Sequence, residues 1–296
     1  MEEEMEKYKR AGKIAGEVLK YAATLVEKNA RVVDVAEKID EKILSLGVNP
    51  GFPVNISINE MAAHFTPQLN ETLMIKEEDY VKLDVGISVD GYIGDTAMTV
   101  RVAGKDDLIE CSEKMLAAAL EMFKPGTTIG EIGEAIESVS EEFGFNAVRN
   151  LTGHSLDRYD LHAGRTIPNI KNDSKYQLRE DEIYAVEPFV TTGEGFVKES
   201  GSPLIFRWIN DVPSRYPEAR RILELAKNKY QRLPFAKRWI QKEISPTKVE
   251  LALRQLIAEK ALYGYTPLKE VSEKPVSQAE HTVIVKDKPI IMTLRK

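Results

Sequence analysis

Val81-Lys82-Leu83-Asp84-Val85-Gly86-Ile87-Ser88-Val89-Asp90-Gly91-Tyr92-Ile93-Gly94-Asp95-Thr96-Ala97 reads as two strands about a tight turn. Val81, Leu83 and Val85 alternate before the turn, and Asp-Gly between two such runs is a strong hairpin signal. With Asp90-Gly91 as a two-residue loop, Gly86 pairs with Asp95. Asp84, two residues from Gly86, then lies on the same face as Asp95. The two carboxylates become diagonal neighbours, close enough to share an ion. Like charges so placed repel unless something cationic sits between them. The alternative at this point makes one of them a turn-capping or surface acid. Their apolar flanks speak against it, because an unpaired buried charge is costly.

The bulk properties set the frame. A chain of 296 residues, 43% hydrophobic and 30% charged, suits a soluble globular protein with one large α/β domain or two smaller ones. The acidic start Met1-Glu2-Glu3-Glu4-Met5-Glu6 lacks the apolar region of a secretory signal, and no apolar run is long enough to span a bilayer. A single cysteine, Cys111, excludes an intrachain disulfide framework and fits a reducing cytoplasm. It falls in a helical segment, Leu108 to Met122, as a small buried hydrophobe rather than a nucleophile.

Net charge is −6, which argues against general nucleic-acid binding, but its distribution is uneven. From Ile205 to Leu262 there are 13 Lys+Arg against 6 Asp+Glu. Such a segment faces RNA or an acidic partner, or is simply a solvated helical subdomain. It holds both tryptophans, Trp208 and Trp239, and helix-like stretches at Glu218 to Tyr230 and Lys248 to Ala261. Ser245-Pro246 reads as an N-cap and first-turn proline.

Outside that segment the chain repeats itself. Val32, Val35, Ile39 and Leu46, ending at Gly47, recur as Ile129, Ile132, Ile136 and Phe143, ending at Gly144. The spacing is that of an amphipathic helix with a glycine beyond its C-terminus. Each copy follows another helical stretch, Met5 to Glu27 and Leu108 to Phe123, and precedes strand-like runs. Ile75 to Asp84 resembles Leu178 to Glu187, which sets Asp84 opposite Glu187. A duplicated α-α-β unit would bring one acid from each half together across a pseudo-twofold axis.

Glu187, in Ala185-Val186-Glu187-Pro188-Phe189, and Glu280, in Gln278-Ala279-Glu280-His281-Thr282, join Asp84 and Asp95 as acids embedded in apolar strand sequence. Four converged carboxylates would be forced to protonate, or would unfold the chain, without counterions. Two divalent cations resolve the conflict. Of four histidines, His154 and His162 lie in loop-like sequence and His64 closes Asn59-Glu60-Met61-Ala62-Ala63-His64. Strand alternation turns His281 away from whatever Glu280 faces, so His281 is expected to be structural. One imidazole among many oxygens suits Co, Mn, Fe or Zn better than Mg or Ca.

Asp84, Asp95, His154, Glu187 and Glu280, in this order and context, resemble the five metal ligands of the pita-bread metallopeptidases. Gly51 to Glu60, Ala62-Ala63-His64 and Asn150-Leu151-Thr152-Gly153-His154 resemble the methionine aminopeptidases. The 93 residues between Glu187 and Glu280 resemble the type 2 members, which carry a helical subdomain there, and the lack of an N-terminal extension resembles the archaeal form. The likeness runs over essentially the whole chain. Ser88 departs from the histidine common in the family's hairpin, and Thr152 from the usual Ser or Asn.

The resemblance implies an α/β (α+β) pita-bread fold with a pseudo-twofold repeat of α-α-β units. The catalytic domain would span 1–204 and 263–296, and a helical insertion 205–262. It implies two divalent metal ions, Asp84 serving one, His154 and Glu187 the other, with Asp95 and Glu280 bridging. The reaction implied is removal of N-terminal methionine before a small second residue, by a metal-activated hydroxide attacking the scissile carbonyl. Glu187 would also move protons, His162 would polarise the carbonyl, and His64 would contact the substrate and help protonate the leaving group. Phe52, Leu161 and Pro234-Phe235 are candidates to line the methionine slot. The expected partners are nascent polypeptide N-termini, with the ribosome a candidate neighbour of the basic insertion. No DNA and no membrane is expected, and a monomer in the cytoplasm. The rival readings are a proline-directed relative (prolidase or aminopeptidase P) and a non-catalytic pita-bread protein binding RNA or protein.

Overall fold

The structure, a computed structural model, describes residues 2–295; the two terminal positions of the expected domain lie outside the described residues. The chain opens with α1 (Glu2–Ala23) and α2 (Val32–Ser45), and the pattern returns as α3 (Asp107–Glu121) and α4 (Ile129–Glu142). Gly47 (φ 69°) and Gly144 (φ 72°) leave α2 and α4 in the left-handed conformation, which costs glycine nothing. Helix α4 starts at a capping box in which Thr128 and Glu131 each serve the other's backbone N–H, satisfying donors the helix cannot. Helix α1 stops short of the expected Glu27, because Thr24 and Leu25 close tighter bonds to Tyr21 and Ala22 (both 3.0 Å).

The Asp-Gly hairpin forms as its sequence requires. Strands Val81–Val89 and Tyr92–Val100 pair with Gly86 opposite Asp95 and Asp84 opposite Ala97. Asp90 (φ 53°) and Gly91 (φ 89°) both take positive φ, the geometry that matches strand twist in a two-residue loop. Asn55–Ile58 pairs with the other edge of Val81–Val89, placing Asn55 opposite Asp84. Helix α1 lies directly on this sheet: a Cβ on Gly94 would come within 2.4 Å of the Gly12 nitrogen. Ala11, Ala15 and Leu19 of α1 and Ile39 of α2 form one buried cluster with Leu83, Val85 and Ile87. Each fully buried Leu or Ile there contributes about 1.5–3 kcal/mol.

In the second half a five-stranded sheet runs in the order 290–291, 281–284, 183–186, 152–155, 166–168, covered by α3 and α4. The two halves are stitched together by hydroxyls. Thr96 Oγ1 donates to the Glu280 carbonyl (2.8 Å), and Thr99 Oγ1 donates to the Gln278 carbonyl (2.9 Å) while accepting from the Gln278 N–H (2.8 Å). The Glu280 N–H reaches the Ala97 carbonyl at 3.0 Å. The stretches carrying Asp95 and Glu280 are thus held side by side.

Between Ile205 and Tyr265 the chain builds a three-stranded sheet, with Ile205–Trp208 flanked by Phe235–Ala236 and Leu262–Tyr265. It is packed by α5 (Pro217–Leu225), the short α6 (Lys237–Gln241) and α7 (Pro246–Ala258). The strand Leu262–Tyr265 runs across the expected boundary at 262. The helix expected to reach Tyr230 is α-helical only to Leu225, followed by a π-helical turn, Ala226–Tyr230, and by Gln231 at φ 55°. Much of the segment's positive charge is spent within the chain. Lys227 pairs with Asp211, Lys237 with Glu250 and Lys248 with Glu218. Fully buried Arg238 reaches α2, where it meets Glu37 and Asp40, and it donates to Thr66 Oγ1 at 2.6 Å.

Candidate metal centre and active site

A small cavity of about 60 Å³ lies where the two halves meet, and Asp84, Asp95, His154, Glu187 and Glu280 all line it. The hairpin supplies Asp84 and Asp95 on one face, two residues and one strand apart. His154 comes from the strand Thr152–Ser155, paired with Ala185, and Glu187 follows that neighbouring strand. Glu280 sits between Val276–Gln278 and His281–Ile284. One ligand atom each from Asp95, His154 and Glu280 fall within 4.8 Å of one another. His154 Nε2 lies 3.7 Å from Asp95 Oδ2 and 3.4 Å from Glu187 Oε1.

The electrostatics of this cluster are unbalanced without a cation. Burial pushes the Asp84 carboxyl up to about 7. Burial, and then the charge of Asp84, raise Asp95 well above the usual carboxylate range. Glu187 and Glu280 are raised by burial and then by Asp95 and Asp84. Burial also lowers His154 to about 4, so its imidazole is neutral at pH 7 and its lone pair is available. Asp84 Oδ1, Asp95 Oδ1 and Glu280 Oε2 are sealed from solvent and accept no hydrogen bond among the described residues. Buried oxygens of this kind ordinarily have partners. Four acids, one neutral imidazole and three orphaned oxygens fit divalent cations, with the imidazole favouring a transition metal.

The rest of the cavity is apolar and histidine-rich. Phe52 and Leu161 line it, together with Ile205 and Pro234 from the 205–262 segment. Phe235 does not line it: its ring stacks on Tyr230 (5.1 Å between centroids) inside the hydrophobic cluster that the 205–262 segment forms. His64 and His162 both line the cavity. His162 lies 4.4 Å from the His154 ring, and Tyr265 lies 5.4 Å from His64 and 6.0 Å from His162. His64 is held at φ 61°, a conformation uncommon for a non-glycine residue and frequent at working sites. Burial brings it down to about 4.

The residues set aside in sequence also have places. His281 faces away, its Nδ1 2.8 Å from Thr293 Oγ1. Ser88 Oγ accepts from the Gly91 N–H at 3.1 Å, fastening the hairpin turn. Cys111 is buried with its sulfur 3.7 Å from that of Met115.

Three polar residues were missed. Asn55 and Tyr265 line the cavity, and Gln278 Nε2 approaches Glu187 Oε2 at 3.5 Å. Asn55 and Gln278 carried a signal. Asn55 is a polar residue between Val54 and Ile56 in strand-like sequence, and Gln278 lies two residues before Glu280 and so on its face. Tyr265 had none.

The model of metallopeptidase family M24 matches residues 6–212. The methionine aminopeptidase of Pyrococcus abyssi is 44% identical over 292 residues, 98% of this chain and 99% of its own length. That of Methanocaldococcus jannaschii is 41% identical over 291 residues, 98% of each chain. Among solved structures, a thermophilic Arx1 superposes with a TM-score of 0.85 at 17% identity, covering 98% of this chain and 90% of its own. The methionine aminopeptidase of Thermotoga maritima gives 0.72 at 23% identity, covering 99% and 97%. Those two structures bear on the fold, which they share with this chain from end to end. With a family model spanning most of the sequence and relatives matching over nearly all of it, the chain belongs to metallopeptidase family M24.

Proposed function

We propose that this protein is a metal-dependent methionine aminopeptidase, removing N-terminal methionine from polypeptides whose second residue is small. The observation that carries the reading is the convergence of Asp84, Asp95, His154, Glu187 and Glu280 on one apolar-walled cavity. It stands in a chain matched from end to end by methionine aminopeptidases. Asp84, Asp95, His154, Glu187 and Glu280 would hold two divalent cations. Bound there, such ions supply Lewis acidity and lower the pKa of a water toward neutrality.

The chain's own groups do the rest. Glu187, its carboxyl already biased toward holding a proton, carries protons between the attacking water and the leaving amine. Neutral His162 stands beside His154 and donates to the oxygen of the scissile carbonyl as negative charge develops there. His64 meets the amide on the leaving side. Phe52, Leu161 and Pro234 form the slot for an unbranched apolar side chain.

The segment 205–262 is read as an insertion that closes one wall of that slot through Ile205 and Pro234. An approach to the ribosome rests on its net positive charge alone. No helix among the described residues is long and apolar enough to cross a membrane.

Assay of metal-reconstituted protein on Met-Ala-Ser, beside an X-Pro dipeptide, tests the proposal. Release of methionine from the tripeptide is the expected result. Turnover of the X-Pro dipeptide alone would favour the proline-directed reading instead.

A further inference from the structure

Asn55 is buried, lines the cavity and stands directly opposite Asp84 in the strand register. Residues paired in this way carry their side chains on the same face, about 4.5–5.5 Å apart at Cβ. Its amide has only one way to point. Nδ2 donates to the Pro53 carbonyl at 2.9 Å, and a carbonyl only accepts, so the NH₂ end must face Pro53 and the oxygen must face away. That oxygen, Oδ1, is sealed from bulk solvent and accepts no hydrogen bond among the described residues. It shares this condition with Asp84 Oδ1, Asp95 Oδ1 and Glu280 Oε2 in the same cavity.

The three carboxylate oxygens are accounted for by cations. Asn55 is not explained in that way, because a neutral amide competes poorly for a divalent ion beside four carboxylates. What it offers is a fixed acceptor next to Asp84, and leaving a buried acceptor unpaired is costly unless something donates to it. We propose that Asn55 Oδ1 accepts a hydrogen bond from the substrate's terminal α-amino group, making Asn55 a specificity residue for a free N-terminus. This rests on the aminopeptidase reading above. Both an ammonium and a neutral amine carry an N–H to give, so the contact does not depend on which form binds.

Binding of L-methionine and of its des-amino analogue, 4-(methylthio)butanoate, to the metal-loaded protein separates this role from a structural one. The two ligands share side chain and carboxylate and differ in the amine alone. Calorimetry on the wild type should show methionine bound more tightly than the analogue. In Asn55→Ala, and in the better-filled Asn55→Leu, that preference should fall by about tenfold while the analogue's own affinity holds. Metal content and thermal midpoint are measured on the same samples.

Equal losses for both ligands, or an unchanged preference, would overturn the proposal. So would a wild type that does not prefer methionine, since there would be no amine recognition to explain. A wild type that prefers methionine yet fails to cut Met-Ala-Ser would defeat the functional reading and leave Asn55 to be judged on the binding ratio.

Discussion

The hydroxyl of Thr282 holds the backbone of Asp95 from both sides. It accepts from the Asp95 N–H at 2.8 Å and donates to the Asp95 carbonyl at 2.6 Å. Thr282 belongs to the second half of the chain and lies two residues beyond Glu280, whereas Asp95 belongs to the first-half hairpin. One buried hydroxyl therefore adds a direct tie at Asp95 to the Thr96–Glu280 and Glu280–Ala97 hydrogen bonds that hold the two carboxylate-bearing stretches together. Thr282→Val keeps the shape and removes the hydroxyl, leaving a buried N–H and C=O without partners. A loss of about 1–3 kcal/mol in stability is expected, with weaker metal retention. Denaturant unfolding and metal titration of the variant check both, and wild-type metal affinity would remove the positional role.

Glu187→Gln tests the chemistry. The amide is nearly isosteric but carries no charge and shuttles no proton. Turnover should fall by about two to four orders of magnitude, with the circular dichroism spectrum and thermal midpoint close to wild type. Relief of carboxylate crowding in the metal-free protein should even raise its midpoint slightly, since burial and the charges of Asp95 and Asp84 act against an ionised Glu187. Near-normal turnover would refute the assignment.

The hairpin was readable because two local rules agree. Period-two alternation fixes which residues share a face, and Asp-Gly fixes the loop length, so the pairing of Gly86 with Asp95 follows from sequence alone. The same alternation turned His281 away from the site. What could not be read depends on segments far apart in sequence. Thr282 meets Asp95 across 187 positions, and Arg238 meets Asp40 across 198. No local pattern announces such a pair. The π-helical turn at Ala226–Tyr230 is invisible for a related reason, since its composition differs little from that of an ordinary helix end.

Metal dependence should show a defined pH signature in stability. Carboxylates raised by burial contribute stability that is complete below their unfolded pKa of about 4 and is lost as pH rises through the folded value, about 7 for Asp84, with Asp95, Glu187 and Glu280 shifted in the same direction. His64 and His154, lowered to about 4, work in the other direction: their contribution is complete above about 6.5 and is lost as pH falls toward 4. The two sets oppose each other between about pH 4 and 6.5, and among the cavity's groups only the carboxylates still act from about pH 6.5 to 8; buried Lys82, lowered to about 7, lies outside the cavity and acts alike with and without metal. The gap in thermal midpoint between metal-loaded and chelated protein should therefore widen from about pH 6.5 to 8. A gap that stays constant or narrows over that range would mean that the carboxylates are not the metal's partners.

Arg238 and Asp40 offer a test of how the insertion is fastened. Both side chains are largely buried, and Asp40 also accepts from Trp239 Nε1 at 2.7 Å. Arg238→Met strands Asp40 in a low-dielectric contact, where burial already raises its carboxyl, and should cost about 3–5 kcal/mol. The double variant Arg238→Met with Asp40→Leu removes both charges and should recover much of that loss, because well-packed apolar pairs often match a buried ion pair. The insertion also carries Ile205 and Pro234 to the cavity wall, so the single variant should raise KM for a methionine tripeptide more than it lowers kcat. Denaturant unfolding of the two single variants and the double closes the cycle. A single Arg238→Met variant within about 1 kcal/mol of wild type would show that other contacts hold the insertion in place.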